Sequence, residues 1–188
     1  PASLPASALA KVRGTKKSYP AGMCPLIGSF ALESLIKRIP YDQTKVWVSG
    51  KVSALDEKVM LEAEKTGLKI ACSSLFTYEG LDSRFGGMFD TESKTLVPDG
   101  FEIIKISSLS PEIVALYGTK LYIQGDVTLE ESNASCLDEL EEVIIKGCAS
   151  LPASLAAPFR RIGKADSYFI YEGYLRKING SEQITHEE

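Results

Sequence analysis

The sequence has almost no histidine, because the one copy in 188 residues, His186, stands close to the end of the chain. A serine–histidine–aspartate triad, a histidine general base and a histidine-ligated metal centre all need histidine beside other functional groups, and this position disfavours them. The four cysteines contain no C-x-x-C pair, and their separations do not match zinc-binding modules. We therefore expect no metal site and no cofactor.

The sequence also lacks the short motifs that identify many enzymes. G-x-S-x-G, G-x-x-x-x-G-K-[ST] and G-x-G-x-x-G are all missing, which removes the usual signatures of hydrolases, nucleotide-binding loops and dinucleotide-binding turns. Acidic residues are concentrated in 130–142, but on a helix that leads into a buried strand they are more typical of a solvated face than of acid–base catalysis. We expect no catalytic residues and a protein that is not an enzyme.

Long apolar runs are absent as well. No segment reaches the length of about 18 apolar residues that a membrane-spanning helix requires. The net charge of -4 and the isoelectric point near 5.2 give no general attraction to nucleic acid or to anionic lipid. The sequence shows neither a secretion signal nor a high density of cysteines, so we expect a cytoplasmic protein that binds neither nucleic acid nor membranes.

What the sequence does contain is a repeated pattern. Alternating apolar residues followed by glycine recur at 45–52, 120–127, 142–149 and 168–173, with weaker copies at 67–72 and 101–106. The glycines at 125, 147 and 173 indicate a period of about 22–26 residues, which is within the range of repeat proteins. Segments with helical spacing lie between these strands, at 30–39, 55–65, 110–118, 130–140 and 152–162. Strands and helices are therefore expected to alternate.

One stretch of this pattern resembles a known family. Between 137 and 155 the sequence matches the consensus of the leucine-rich repeat. Cys148 stands at its asparagine-or-cysteine position, and its apolar positions are occupied by Leu137, Leu140, Val143, Ile145, Leu151 and Leu155. The resemblance implies a right-handed α/β solenoid, with a parallel sheet on one face and short helices on the other. We expect a single repeat domain at 1–176, including an N-terminal cap or partial coil at 1–44 and an irregular insertion at 78–100, and a flexible tail at 177–188.

Alternation within each strand predicts which side chains face the core. The residues expected there are Val46, Val48, Leu121, Ile123, Val143, Ile145, Phe169 and Tyr171. The residues that point the other way form a largely apolar ladder on the outer face of the sheet and are the predicted binding residues: Trp47, Lys69, Tyr122, Ile144 and Ile170. Two alternatives stay open, because such a ladder either binds a partner or is covered by the insertion, by the N-terminal segment or by a second copy of the chain.

These observations favour a non-catalytic protein-recognition or scaffold module that binds a protein partner through the ladder. The main alternative is a self-assembling structural solenoid, similar to bactofilins, in which coils stack end to end between chains to form a homo-oligomer. A carbohydrate-active or carbohydrate-binding β-helix comes third. Such a β-helix would need a cluster of carboxylates on its sheet face, and the only charged member of the ladder is Lys69.

Overall fold

The computed structural model of the chain describes residues 2–5, 16–172, 174–178 and 181–185. The chain folds into two compact units, Pro1–Asp99 and Gly100–Glu188. Each unit contains a five-stranded parallel sheet and short helices. The mixed α/β class and the parallel strands that the sequence predicts are therefore confirmed.

In the first unit, the sheet is assembled in the order of the chain. Its strands are β3 (Cys24–Leu26), β4 (Phe30–Ala31), β5 (Lys45–Ala54), β6 (Lys69–Tyr78) and β7 (Phe89–Val97). The order across the sheet is β3, β5, β6, β7, and β4 lies beside the second half of β5. Two further strands, β1 (Ala2–Pro5) and β2 (Lys16–Tyr19), form a separate parallel pair.

Three helices connect the strands of the first unit: α1 (Leu32–Ile36), α2 (Glu57–Lys65) and α3 (Glu79–Phe85). The helix α2 begins where the Asp56 carboxylate accepts hydrogen bonds from the backbone N–H groups of Lys58 and Val59, at 2.7 and 3.3 Å. Met60 and Ala63 turn its apolar side to the core. These helices bury one side of the sheet, and the opposite side faces outward.

The second unit has the same kind of sheet. Its strands are β8 (Glu102–Ile104), β9 (Lys120–Gln124), β10 (Val127–Thr128), β11 (Glu142–Pro152) and β12 (Gly163–Tyr171), and its helices are α4 (Pro111–Tyr117), α5 (Cys136–Glu139) and α6 (Ala153–Ile162). The order across the sheet is β8, β9, β11, β12, with β10 also beside β11. An antiparallel hairpin comes next in the chain, formed by β13 (Tyr174–Ile178) and β14 (Ser181–Thr185).

Both units contain the same bulged strand. The register of β5 shifts between Val48 and Lys51, and that of β11 shifts between Ile145 and Cys148. A glycine lies at each shift because an added Cβ would approach a backbone carbonyl oxygen to 2.5 Å. In the first unit, Ser29 lies between β3 and β4, and its hydroxyl oxygen accepts a hydrogen bond from the N–H of Lys51 in the bulged strand.

The second unit reproduces this arrangement at positions that are all displaced along the chain by the same amount. Asp126 takes the place of Ser29, and its carboxylate accepts a hydrogen bond of 2.7 Å from the N–H of Cys148. Gly147 takes the place of Gly50, and Val143 takes the place of Val46. The chain therefore contains an internal repeat longer than the predicted coil, and equivalent positions of β5 and β11 can be compared directly.

The core is largely where the strand pattern predicts it. Six of the predicted core residues are at most 1% exposed: Val46, Val48, Leu121, Ile123, Val143 and Ile145. Tyr171 is also buried, whereas Phe169 is 40% exposed, so the prediction for Phe169 is wrong. Val46 belongs to the sheet of the first unit, whereas Leu121 and Val143 are neighbours in the sheet of the second.

The segment 78–100 is not an irregular insertion. Tyr78 ends β6, and α3 and β7 occupy most of the remaining segment, with β7 in register against β6. Two of the glycines that suggested turns are closely packed instead, because a Cβ at Gly80 would lie 2.7 Å from Oδ2 of Asp99 and one at Gly86 would lie 2.7 Å from Oδ1 of Asp82. Gly100 does have the positive φ of a turn residue, 84°. The segment 177–188, expected to be a flexible tail, contains the strand β14.

The lengths of chain between paired strands are unequal. The Ser73 hydroxyl donates to the carbonyl of Ser49, 24 positions away, whereas the Ser93 hydroxyl donates to the carbonyl of Ser73, 20 positions away. A regular solenoid with repeats of about 22–26 residues therefore stays a prediction.

Candidate functional site

The outward side of the first sheet carries a short row of register partners that includes Trp47. Pro25, Trp47, Ala71 and Asp90 are consecutive register partners across β3, β5, β6 and β7. We call these four residues the Trp47 row. Trp47 is half-buried between Val46 and Val48, which are fully buried on the other side of the strand. The indole therefore lies on the outward face, as the alternation predicts.

Two lysines lie beside the Trp47 row on the same face. Lys45 and Lys69 are register partners at the start of β5 and β6, two residues before Trp47 and Ala71. Both are exposed. The ammonium of Lys69 donates a 2.9 Å hydrogen bond to the carbonyl oxygen of Gly87, and its backbone N–H donates to the carbonyl of Thr44 at 2.8 Å. Lys69 is thus in register with Lys45, a residue that the sequence pattern did not indicate, and Ala71 takes the ladder position beside Trp47 that was predicted for Lys69.

The second sheet has an equivalent row, but its aromatic residue is inaccessible. Ile103, Tyr122, Ile144 and Lys164 are consecutive register partners across β8, β9, β11 and β12. Tyr122 is 1% exposed, whereas Ile144 is half-buried. Tyr122 and Ile144 are neighbours, as the ladder predicts, but the expectation that Tyr122 offers a binding surface is wrong because other groups cover its ring.

The phenol of Tyr122 lies near an ion pair of the same sheet. Burial raises the pKa of Tyr122 above its ordinary value, Lys146 opposes this rise and Asp166 adds to it. The Lys146 ammonium and the Asp166 carboxylate are 3.2 Å apart and both are exposed. Tyr122 therefore stays protonated at neutral pH.

Ile170 does not belong to the ladder. Lys164, and not Ile170, is the register partner of Ile144, because β12 begins at Gly163 opposite Val143. A Cβ at Gly163 would come within 2.7 Å of the Phe159 ring and 2.8 Å of Cγ1 of Val143, so this close approach needs glycine. The prediction that Ile170 stands beside Ile144, which rests on aligning the strand by the glycine at 173, is wrong.

The most exposed apolar cluster of the second sheet lies instead at the end of β12. Tyr168, Phe169 and Ile170 are each about two-fifths exposed, on a strand that pairs with β11. The Tyr168 ring contacts the Phe159 ring edge-on, with centroids 6.2 Å apart, and its hydroxyl accepts a hydrogen bond from the N–H of Ala165. We call these three residues the β12 cluster. The sequence signal for it is a run of large apolar residues in the last strand of the sheet.

The titratable groups of the described residues show no metal-binding cluster and only a few shifted pKa values. No group of three or more potential metal ligands is found there. Burial raises the pKa of the Cys72 thiol and raises that of Cys136 to about 11, which keeps both thiols protonated and poor nucleophiles at neutral pH. The acidic residues near 130–142 lie mostly on the surface, where Glu131 accepts a hydrogen bond from Ser154 and Glu141 from Thr119.

A shallow depression in the first unit lies beside Lys69. Its lining includes Glu64 and Leu68 from α2 and the turn after it, and Arg84 and Met88 from α3 and the turn after that helix. Of the two cations at its rim, Arg84 forms an ion pair with Glu57, so only the ammonium of Lys69, which donates to the neutral carbonyl of Gly87, keeps an unneutralised charge. The depression therefore lacks the convergent free polar groups of a small-molecule site.

Comparisons of the chain with protein-family models, with curated proteins and with solved structures return no match. In the part of the chain that the structure describes, no helix is long and apolar enough to cross a bilayer.

Proposed function

We propose that this chain is a non-catalytic protein-recognition or scaffold module, built as a leucine-rich-repeat-like solenoid, and that it binds its partner through the Trp47 row. The observation that carries the proposal is the position of Trp47, which lies partly exposed on the outward face of a parallel sheet. Tryptophan is enriched among the residues that dominate binding energy in protein interfaces. Neighbouring Pro25, which is also half-buried, extends its apolar surface to β3, whereas Ala71 on β6 is buried.

The solenoid part of the proposal is supported by the order of the strands. In the first unit β3, β5, β6 and β7 succeed one another both in the chain and in the sheet, and helices connect β5 to β6 and β6 to β7. Such stacking leaves one side of the sheet free for contact with another protein, as in repeat proteins that use an extended surface.

The proposal predicts that Trp47→Ser removes binding without unfolding the protein. The change should lower the free energy of unfolding by about 2–3 kcal/mol, less than the loss of a fully buried aromatic ring, because the indole is only partly buried. Partners would be identified by quantitative pull-down with the wild-type chain, and their affinities for the two proteins would be measured by isothermal titration calorimetry. A loss of about tenfold or more is expected.

Leu116→Ser is the matched control for this experiment. Leu116 is 70% exposed on α4, so its replacement removes an apolar surface residue of another element. The control should keep wild-type affinity. Equal affinity of the Trp47→Ser protein for every partner that the wild type binds would contradict the proposal.

A second candidate function, self-assembly, is favoured by the β12 cluster. Sheet edges with exposed apolar side chains are prone to pair with other chains, and natural proteins usually block them with charges. The edge strand of the first sheet, β7, is blocked in this way by Asp90, Glu92 and Lys94. The first half of β12 also carries charges, Lys164 and Asp166, but its second half carries none, whereas Lys94 lies in the second half of β7.

Self-assembly predicts that the scattering mass of the wild-type protein rises with concentration and that Phe169→Lys abolishes the rise. The charged side chain would have to be buried without a partner in the assembly, whereas it is solvated in the monomer. Leu116→Lys serves as the control and should leave the mass profile unchanged. A constant monomer mass over the micromolar range would contradict this second candidate.

A further inference from the structure

The charges beside the apolar rows differ between the two units. Lys45 is in register with Lys69, so two like charges lie next to each other on the outward face of the first sheet. Glu142 takes the position of Lys45 in β11, and on the neighbouring strand β9, which takes the place of β3, its register partner is Lys120, so opposite charges meet there. Lys120 also lies 3.5 Å from the carboxylate of Glu141. The second sheet is thus locally neutralised and the first is not.

Like charges on adjacent strands, which are about 4.8 Å apart, repel each other and destabilise a sheet. Four other lysines of the described chain are ion-paired: Lys37, Lys94, Lys120 and Lys146. No described carboxylate lies within ion-pair distance of Lys45 or Lys69, and the Lys69 ammonium donates instead to the neutral carbonyl of Gly87. The pair therefore presents positive charge that an anionic ligand would neutralise.

We propose that the ligand of the Trp47 row is an acidic polypeptide segment. Its carboxylates bind Lys45 and Lys69, and an adjacent apolar side chain packs on Trp47 and Pro25. Complementary charge orients such a segment on the sheet, and the indole supplies the buried contact. This inference rests on the proposed recognition function and deepens it by naming the chemistry of the partner.

The surroundings of the two lysines favour an acidic polypeptide over a polyanion such as nucleic acid. Asp90 ends the Trp47 row, and Glu64 lines the depression beside Lys69, so the positive region is bounded by carboxylates. The whole chain carries a net charge of -4. A polyanion needs many phosphate contacts for affinity, and its phosphates would be repelled by the carboxylates on both sides of the lysine pair. A polypeptide segment with two or three carboxylates is short enough to bind the two lysines between Asp90 and Glu64.

The experiment uses Trp47 as its own probe, because it is the single tryptophan of the chain. A synthetic peptide of alternating glutamate and leucine is titrated into the full chain while the tryptophan emission is recorded. We expect a saturable change in emission that weakens as salt increases. A peptide of alternating glutamine and leucine should bind at least about tenfold more weakly, since it lacks the charges.

Lys45→Glu is the decisive variant. It replaces the like-charge pair of Lys45 and Lys69 by an opposite-charge pair, so the protein should melt at a higher temperature than the wild type, while its affinity for the acidic peptide falls about tenfold. A higher melting temperature together with a lower affinity for the peptide cannot be caused by structural damage. Lys164→Glu changes the net charge equally, at an exposed position of β12, and should leave affinity unchanged.

Three outcomes overturn the inference: no saturable change with the acidic peptide, equal affinity for the glutamine peptide, or unaltered affinity in Lys45→Glu. Heparin fragments and single-stranded DNA are titrated in parallel, and tighter binding of either one also overturns it. The broader recognition proposal fails separately, because it requires Trp47→Ser to lose the protein partners found by pull-down. Loss of those partners with no effect of Lys45→Glu would refute only the acidic class.

Discussion

Replacing Tyr122 by serine is expected to lower the free energy of unfolding by about 3–5 kcal/mol, the range for removal of a large buried aromatic ring. Tyr122 is 1% exposed and lies in the middle of its sheet, in register with Ile103 on β8 and Ile144 on β11. The ring faces away from Leu121 and Ile123, which belong to the core on the other side. Urea unfolding followed by circular dichroism measures the change.

Two controls separate this loss from the effect of any tyrosine substitution. Tyr117→Ser removes a ring that is 39% exposed at the end of α4 and should cost about 1 kcal/mol or less. Tyr122→Phe keeps the ring and should cost much less than Tyr122→Ser. If Tyr122→Ser were as stable as Tyr117→Ser, the outward face of the second sheet would be open and the assignment of recognition to the Trp47 row alone would be wrong.

The contrast between Trp47 and Tyr122 shows what strand alternation can predict. Period-two patterning correctly separates Val46 and Val48 from Trp47, because successive side chains of a strand point to opposite sides. It cannot predict whether the outward side is covered, since covering depends on packing by residues distant in sequence. The same pattern therefore predicts both residues as binding residues, although Trp47 is partly exposed and Tyr122 is buried.

Strand register is the second limit of prediction from sequence. Aligning the strands by their glycines works for Gly50 and Gly147, which occupy equivalent bulges. It fails for β12, where the strand starts at Gly163 because the Phe159 ring leaves no room for a Cβ. That packing constraint involves a helix and two strands and has no local signature. The pairing of Lys45 with Lys69 likewise depends on the register and has no signal in the sequence alone.

Substitution of a bulge glycine is predicted to lower the free energy of unfolding by a similar amount. Gly147→Ala should lower the free energy of unfolding by about 3 kcal/mol, at the upper end of the range for overpacking. The added Cβ would lie 2.5 Å from the carbonyl oxygen of Gly125 and 2.7 Å from Oδ1 of Asp126. Because Asp126 holds the N–H of Cys148, relief of the clash must displace the backbone or break this hydrogen bond. Thermal and urea unfolding both measure the loss.

Gly87→Ala is the matched control, since no atom lies within 4 Å of its added Cβ and its φ is not positive. It should change stability by about 0.5 kcal/mol or less, because the substitution also restricts the unfolded chain. Gly50→Ala tests the internal repeat, as its Cβ would meet the carbonyl oxygen of Gly28 at the same 2.5 Å. If the two bulges are equivalent, both variants lose similar stability. A Gly50→Ala protein as stable as Gly87→Ala would show that only the bulge of β11 is closely packed.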